Sequence, residues 1–478
     1  MGALLLEAIN TVNAYLADYI LIILLIGVGL FFTIRTRFVQ VRCFGEGMKK
    51  VFGGIFRRDK EQTGLSSFQA LATAIAAQVG TGNIVGACGA ILVGGPGAIF
   101  WMWVIAFFGM ATIYAEAVLA QKTRVVDEDG TVRGGPVYYI RTAFKGKFGK
   151  FLAGFFAVAT ILALGLMGSM VQSNSIASTT ATALTSIGVP ESQWIVVIVG
   201  LVVAALSALV FIGGVKRVAS VAEKLVPFMA VIFLLGGLVV IIARIRYIPE
   251  TFGLIFKYAF RPNAIIGGGI GFALKTAISQ GAKRGLFSNE AGMGSTPHAH
   301  ALADVKTPHD QGVAAMIGVF IDTFCVLTMT ALVVISTLYA GGGILADGLE
   351  AGVSNANMAQ IAFSQVFGSA AGPIFVAVCL MFFAFSTIIS WNLFGKINFT
   401  YLFGKKALPV YSVLSVIFIF LGSLFSNDLV WALMDTTNYL MVIPNAIALF
   451  ALSSLVIMEI KNRDKEKKAR RAQKKASK

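Results

Sequence analysis

Ala76-Ala-Gln-Val-Gly-Thr-Gly-Asn-Ile-Val-Gly86 decides how this 478-residue chain is read. It lies inside an apolar run from Leu65 to Val93, yet it places Gln78, Thr81 and Asn83 at mid-run beside glycines. A backbone in lipid must satisfy its polar groups within its own segment, so such an interruption in a spanning helix needs a reason. Gly82 and Gly86 have the spacing that lets two helices approach closely. Packing alone leaves the three polar side chains unexplained. An unwound helix whose freed amides and carbonyls line a binding site accounts for both.

A second stretch, Gly285-Leu-Phe-Ser-Asn-Glu-Ala-Gly-Met-Gly-Ser-Thr296, has the same character. The residues leading into the two also match, Thr73-Ala-Ile-Ala-Ala-Gln78 against Thr276-Ala-Ile-Ser-Gln280. Paired interruptions in corresponding helices are the sequence mark of a transporter built from inverted repeats. An exposed half-helix N-terminus favours a carboxylate, and exposed carbonyls favour a small cation. A zwitterionic amino acid presents both needs at once.

The rest of the chain supports a membrane setting. Hydrophobic residues make up 57% and charged residues 13%, against about a quarter charged in soluble domains. Soluble-enzyme, nucleic-acid-binding and secreted-scaffold classes are therefore weak readings. A helical span needs about 20 apolar residues, and eleven runs qualify. They are Tyr19–Ile34, Leu65–Val93, Gly97–Ala120, Phe148–Ala183, Trp194–Gly213, Ser220–Ala243, Ala264–Ala303, Gly312–Leu338, Pro373–Tyr401, Leu408–Phe425 and Leu429–Met458. Lys and Arg divide 32 to 4 between alternate loops, with three more inside a span. That bias sets the amino terminus outside and the basic tail inside, in the cell membrane. Met1–Glu7 lacks a basic n-region and is not expected to be a cleaved signal.

The net charge of +16 sits mainly in the loop Arg35–Lys60 and the tail after Ile460. It reads as attraction to anionic lipid headgroups rather than to nucleic acid. Cys43, Cys88, Cys325 and Cys379 show no disulfide or metal-ligand spacing and read as structural thiols. His298, His300 and His309 read as structural or solvated. No triad, P-loop or nucleotide-binding unit is visible, so the chain is not expected to be an enzyme. The intramembrane ionisable residues include Lys275 and Asp435. Among them Glu290 is expected to pair with Lys283 or Arg284 across the second interruption, with proton coupling the lesser alternative, while Asp322 and Glu116 are candidate structural, gating or interfacial groups.

The run Gly94-Gly-Pro-Gly-Ala-Ile-Phe-Trp-Met-Trp-Val-Ile-Ala-Phe-Phe-Gly109 and both interruptions resemble the alanine/glycine:cation symporter family, the sodium:alanine symporters. The resemblance implies an all-α integral membrane protein of the leucine-transporter type. It would have about 11 transmembrane helices: an extra N-terminal helix and basic loop (1–62), two inverted five-helix repeats (63–245 and 262–459), and a basic tail (460–478). It implies amides near Thr81 and Gly82 for a substrate carboxylate, and carbonyls near Phe287 and Ser288 for its ammonium. The unwound part of the second broken helix would be Phe287–Gly294, with Gly292, Phe287 and Met293 bounding a small pocket. Gln172 would reach the substrate or make an interhelical bond. Trp391 would cap the pocket or simply pack. Ala76 and Val79 carbonyls with Ser386 and Thr387 hydroxyls would hold sodium, and Asn83 would serve a second sodium. The expected activity is sodium-coupled import of alanine and glycine by alternating access, with sodium as coupling ion and no other cofactor. A proton-coupled or exchanging carrier on the same fold stays open, as does a receptor or channel that binds amino acids without coupled flux.

Overall fold

The computed structural model describes residues 2–54, 65–128, 130–260, 270–348 and 350–476. Eight helices among them are long and apolar enough to cross a membrane, or ten when each of two bent pairs counts as one span. The first is α1 (Leu6–Arg35), followed by a short amphipathic helix α2 (Phe44–Gly54). The first broken helix comprises α3 (Ser67–Gln78) and α4 (Gly82–Gly94), set at 47° to each other. Then come α5 (Ala98–Thr123), the hairpin β1 (Val125–Val126) and β2 (Val132–Arg133), and the short helix α6 (Pro136–Ala143). α7 (Gly146–Thr185), α8 (Gln193–Ile212), α9 (Gly214–Ala243) and α10 (Ile248–Phe260) complete the first half.

The second half opens with α11 (Ile270–Asn289) and α12 (Pro297–Ala301), joined by an irregular turn. It continues through α13 (Pro308–Leu338), α14 (Met358–Phe367), α15 (Ala371–Phe403), α16 (Lys405–Leu424) and α17 (Asn427–Ala451), and ends in α18 (Ser453–Ala476). Each of the eleven apolar runs coincides with one of these helices or broken helices. α11 carries Lys275, Lys283 and Arg284 and falls outside the eight-to-ten count. The opening residues 264–269 of the run assigned to it, including Gly267–Gly269, lie outside the described residues, as do the boundaries drawn at 62–63 and 262.

The polar interruptions lie at the centre and the most lipid-like surfaces outside. α8 and α9 expose Trp194, Ile198, Ile212, Phe228, Leu235 and Ile242. Large apolar side chains in that number on an outer surface mark a face for hydrocarbon rather than water. The buried core gathers around α3, α5, α7, α13 and α15, which pack on one another. α3 starts cleanly because Ser66 and Gln69 form a capping box, each side chain satisfying the other's backbone amide. Just before it, Leu65 pairs with the end of α12 through Leu65 N to Leu302 O and Asp304 N to Leu65 O. The two broken helices are thus tied together at one end.

The charges in α11 are paired, though not as the sequence suggested. Asp18 on α1 receives Lys275 at 3.1 Å, Lys283 at 3.5 Å and the Ser279 hydroxyl at 2.5 Å. Arg284 pairs with Asp435 on α17 at 3.2 Å. The expected pairing of Glu290 with Lys283 or Arg284 is therefore incorrect: both cations point from the helical part of α11 toward other helices, while Glu290 sits in the turn beyond it. The run expected as Leu429–Met458 is also not one straight helix. It bends by 57° after Ala451, and α18 carries the basic residues.

Candidate functional site

The first interruption is built from Val79, Gly80 and Thr81, all buried. Glycine at 80 is required by crowding: a Cβ there would collide with the Thr387 hydroxyl and come within 3.2 Å of Gln172 Oε1. The loose backbone is held by side chains. Gly80 N–H donates to Asn83 Oδ1 at 3.0 Å, and Thr81 N–H donates to Gln172 Oε1 at 3.1 Å. Beyond the break the chain re-forms as a wide π-helical turn at Gly82–Gly86, a feature that recurs at functional sites.

Four oxygens converge at the upstream side of this break. Thr387 Oγ1 on α15 lies 2.9 Å from Ala76 O and 3.4 Å from Val79 O, and Ser386 Oγ lies 3.4 Å from Ala76 O. Carbonyls and hydroxyls are the donor set of a hard cation; Ser386 Oγ also lies 2.8 Å from Phe383 O and 3.5 Å from Met229 Sδ. On the downstream side, the Thr81 hydroxyl and the Gln172 side-chain nitrogen are buried with no hydrogen-bond partner. Two neighbouring buried donors of this kind fit a carboxylate, since an unmet buried donor is costly.

The second interruption begins later than expected. α11 stays helical through Ser288 and Asn289, and the irregular turn runs from Glu290 to Thr296. Phe287 and Ser288 are therefore in the last turn of a half-helix, where carbonyls lack intrahelical donors. Glu290 adopts φ 59°, Gly292 φ 93° and Gly294 φ 81°, a left-handed conformation for which glycine is the natural residue. Glu116 on α5 anchors the turn, accepting from Gly292 N–H at 3.2 Å, Gly294 N–H at 3.1 Å and Asn445 Nδ2 at 2.6 Å. Tyr139 donates its hydroxyl hydrogen to Asn445 Oδ1. Glu290 accepts from the Ser295 hydroxyl and from Trp391 Nε1, the latter at 2.5 Å.

The two interruptions touch. A Cβ on Gly82 would come within 2.9 Å of the Phe287 ring and 3.0 Å of Ser288 Cα, and Gln78 Nε2 donates to Asn289 O at 2.7 Å. Phe287 meets Trp391 edge-on at 5.8 Å and Trp431 at 4.7 Å. Arg284 lies over the Trp431 ring at 4.5 Å. Beside this contact, Asp322 on α13 gathers Asn83 Nδ2 at 2.6 Å, Ser288 Oγ at 2.9 Å and Thr323 Oγ1 at 2.8 Å.

Thr81, Gly82, Gln172, Phe287, Ser288 and Trp391 are thus brought to one centre, and Ala76, Val79, Ser386, Thr387 and Asn83 lie around it. Gly292 and Met293 are placed differently. Gly292 faces Leu25 and Thr112 on the Glu116 side, and Met293 is buried in the same turn. The sequence reading left Asp322 and Glu116 without a place in the site. Their signal was present all the same, a carboxylate inside an otherwise apolar helix. Trp431 and Asn445 gave no such signal.

The histidines have structural partners. His298 contacts Ser295 O and Asn398 Nδ2, and His300 contacts Gln311. Cys43, Glu46 and His309 have ligand atoms within 4.8 Å of one another. Both His309 ring nitrogens are already engaged, Nδ1 with the Tyr114 hydroxyl at 2.8 Å and Nε2 with Glu46 at 3.2 Å.

Broken helices that meet at a buried polar centre, inside a shell of lipid-facing helices, define a multi-pass membrane transport protein. The chain matches the family described as the sodium:alanine symporter family over residues 2–477, and it belongs to that family. It is 41% identical over 456 residues to the sodium/alanine symporter AgcS of Methanococcus maripaludis, covering 95% of this chain and 96% of that one. It is also 37% identical over 463 residues to the amino-acid carrier protein AlsT of Bacillus subtilis, covering 96% and 92%. An uncharacterized transporter of Haemophilus influenzae is 39% identical over 456 residues, covering 95% of each. These relatives are transporters, and the chain is a cation-coupled amino-acid symporter rather than an enzyme.

Proposed function

We propose that the chain carries small neutral amino acids, alanine and glycine, into the cell together with sodium by alternating access. The observation that carries this reading is the spacing of two donor sets on one break. The oxygens of Ala76, Val79, Ser386 and Thr387 suit a sodium ion, and the unpartnered Thr81 and Gln172 donors suit a carboxylate. Only Gly80 separates the last carbonyl of the first set from the amide of the second. A cation at the Val79 carbonyl would therefore sit one residue from the Thr81 peptide, whose amide Gln172 Oε1 already holds. The amino acid's ammonium would meet the carbonyls of Phe287 and Ser288, with Phe287 and Trp391 limiting pocket length. Ser288 and Asp322 supply oxygens for a second cation, and Asn83 would serve that site by holding the Asp322 carboxylate through Nδ2.

The family resemblance supports two inverted repeats around this centre with an extra helix in front, and the loop charge bias supports eleven spans with an outside amino terminus. A proton-coupled carrier is the second reading, favoured by the buried carboxylates Glu290 and Asp322 near the site. Labelled alanine uptake into proteoliposomes separates the two. An inward sodium gradient should drive concentrative uptake, and Ser386→Ala with Thr387→Ala should raise the sodium concentration for half-maximal uptake at least tenfold. Uptake that ignores sodium and follows a proton gradient selects the second reading. Binding without concentrative uptake rejects both.

A further inference from the structure

A basic cleft lies far from the transport centre, where the end of α1 meets α18. Its volume is about 530 Å³, and eight of its eleven lining residues are Lys or Arg against the single carboxylate of Asp464. One wall comes from the turn after α1, with Arg35, Arg37 and Arg42. The other is a helical row, Lys461, Lys465 and Lys468, whose spacing of four and three residues puts them on one face. The walls are 422 residues apart in sequence and are joined by Arg42 donating to both Asp464 carboxylate oxygens at 3.0 and 2.9 Å. Arg463 adds bonds to Asp464 and Glu46. The buried side chains of Val456 and Ile460 seat the helix against the protein.

These contacts occupy Arg42 and Arg463 and leave the other cations uncompensated. Among the described residues, Arg35, Arg37, Lys461, Lys465 and Lys468 have no carboxylate within ion-pair distance. Arg37 and the next residue, Phe38, hold φ 55° and 58°, a conformation that costs energy for side chains of this size and recurs at ligand clamps. The turn thus presents arginines, whose planar forks suit phosphate oxygens, opposite a row of point-charge lysines.

The surroundings select the occupant. Ile34, at the end of α1, and Phe38 and Val41, just beyond it, adjoin the lining residues Arg35, Arg37 and Arg42 in sequence and are 58%, 50% and 60% exposed. A free polyphosphate has no use for an apolar shelf beside its charges, whereas an amphiphile with a phosphate at its head and hydrocarbon behind it matches both surfaces. We propose that this cleft is a binding site for an anionic phospholipid, with its phosphate between Arg35, Arg37 and the Lys461–Lys465–Lys468 row and its acyl chains along Ile34, Phe38 and Val41. Bound lipid would join α18 to α1 by neutralising the cations on both walls.

The test uses the purified full-length protein in neutral detergent, with phosphatidylglycerol added and retained lipid read by native mass spectrometry. Lys461→Gln, Lys465→Gln and Lys468→Gln together should reduce retained lipid at least tenfold. Lys145→Gln, Lys147→Gln and Lys150→Gln remove the same charge from exposed lysines elsewhere and should change it less than twofold. Equal losses in the two triple variants, or none in the first, overturn the proposal. Inorganic pyrophosphate at the lipid's concentration should displace little of it; full displacement overturns the assignment to lipid in favour of a soluble anion. An unchanged size-exclusion profile confirms that each variant is folded.

Discussion

Glu116 is the residue on which the second broken helix turns. Its two oxygens satisfy the amides of Gly292 and Gly294, which would otherwise be donors without acceptors in a fully buried turn, and accept from Asn445 Nδ2, which also donates to Gly292 O. Hydrogen bonds to a charged group contribute about 1.5–3 kcal/mol each, and an orphaned buried donor costs a similar amount. Glu116→Ala should therefore lower stability by about 3 kcal/mol or more, while Glu116→Gln keeps one acceptor oxygen and should lose roughly half as much. Thermal unfolding in detergent measures both, and equal melting temperatures for wild type and Glu116→Ala contradict the anchoring role. The sequence showed that Glu116 was an acid in an apolar helix but not what it held. Its partners are backbone amides 176 and 178 residues away, and an amide leaves no trace in a side-chain pattern.

At the scale of elements, the first break was legible because its residues are locally decisive. Glycines and polar side chains at mid-run exclude a lipid-facing helix whatever surrounds them. The second begins three residues later than its sequence suggests, at Glu290 rather than Phe287. Phe287-Ser-Asn289 looks as polar as the turn after it, but the left-handed conformation at Glu290, Gly292 and Gly294 is what ends the helix. α18 was harder to read, since a basic tail after an apolar run gives no sign of where it docks. One of its attachments runs through Glu46, whose carboxyl the His309 hydrogen bond and the Arg463 guanidinium hold down at about 2, from an ordinary 4.5. A depressed carboxylate contributes stability that is complete above its unfolded value and is lost as pH falls toward its folded one. The α18 contact should thus hold unchanged from neutral pH to about 4.5 and loosen between there and about 2. Hydrogen exchange of α18, corrected for its intrinsic pH dependence, reads this, and loosening already complete at pH 6 contradicts it.

For the whole molecule, composition and hydropathy identified an all-helical membrane protein, and the long Gly94–Gly109 run pointed to its family. What they left out is how the spans are fastened. α11 is held among its neighbours by Asp18 and Asp435 as well as by apolar contact, and no periodicity announces such pairs. The charge bias of the loops predicts that α18 faces the cytoplasm. Cys43, Cys88 and Cys379 are buried and Cys325 is half-buried, so a single cysteine at exposed Lys465 makes a clean reporter. An impermeant maleimide should label Lys465→Cys in inside-out vesicles and leave it unlabelled in intact cells. The reverse pattern inverts the whole topology.

The attachment of α1 also has a consequence for how the chain is made. Asp18 and Ser279 are 261 residues apart, and synthesis proceeds at about 5–20 residues per second, so α1 waits on the order of ten to fifty seconds for α11 to emerge. During that interval the Asp18 carboxylate has none of its final partners. α1, made well before its partners, is therefore among the later helices to reach its final seat, and the insertion machinery must hold its unmatched charge near the interface until α11 has been made.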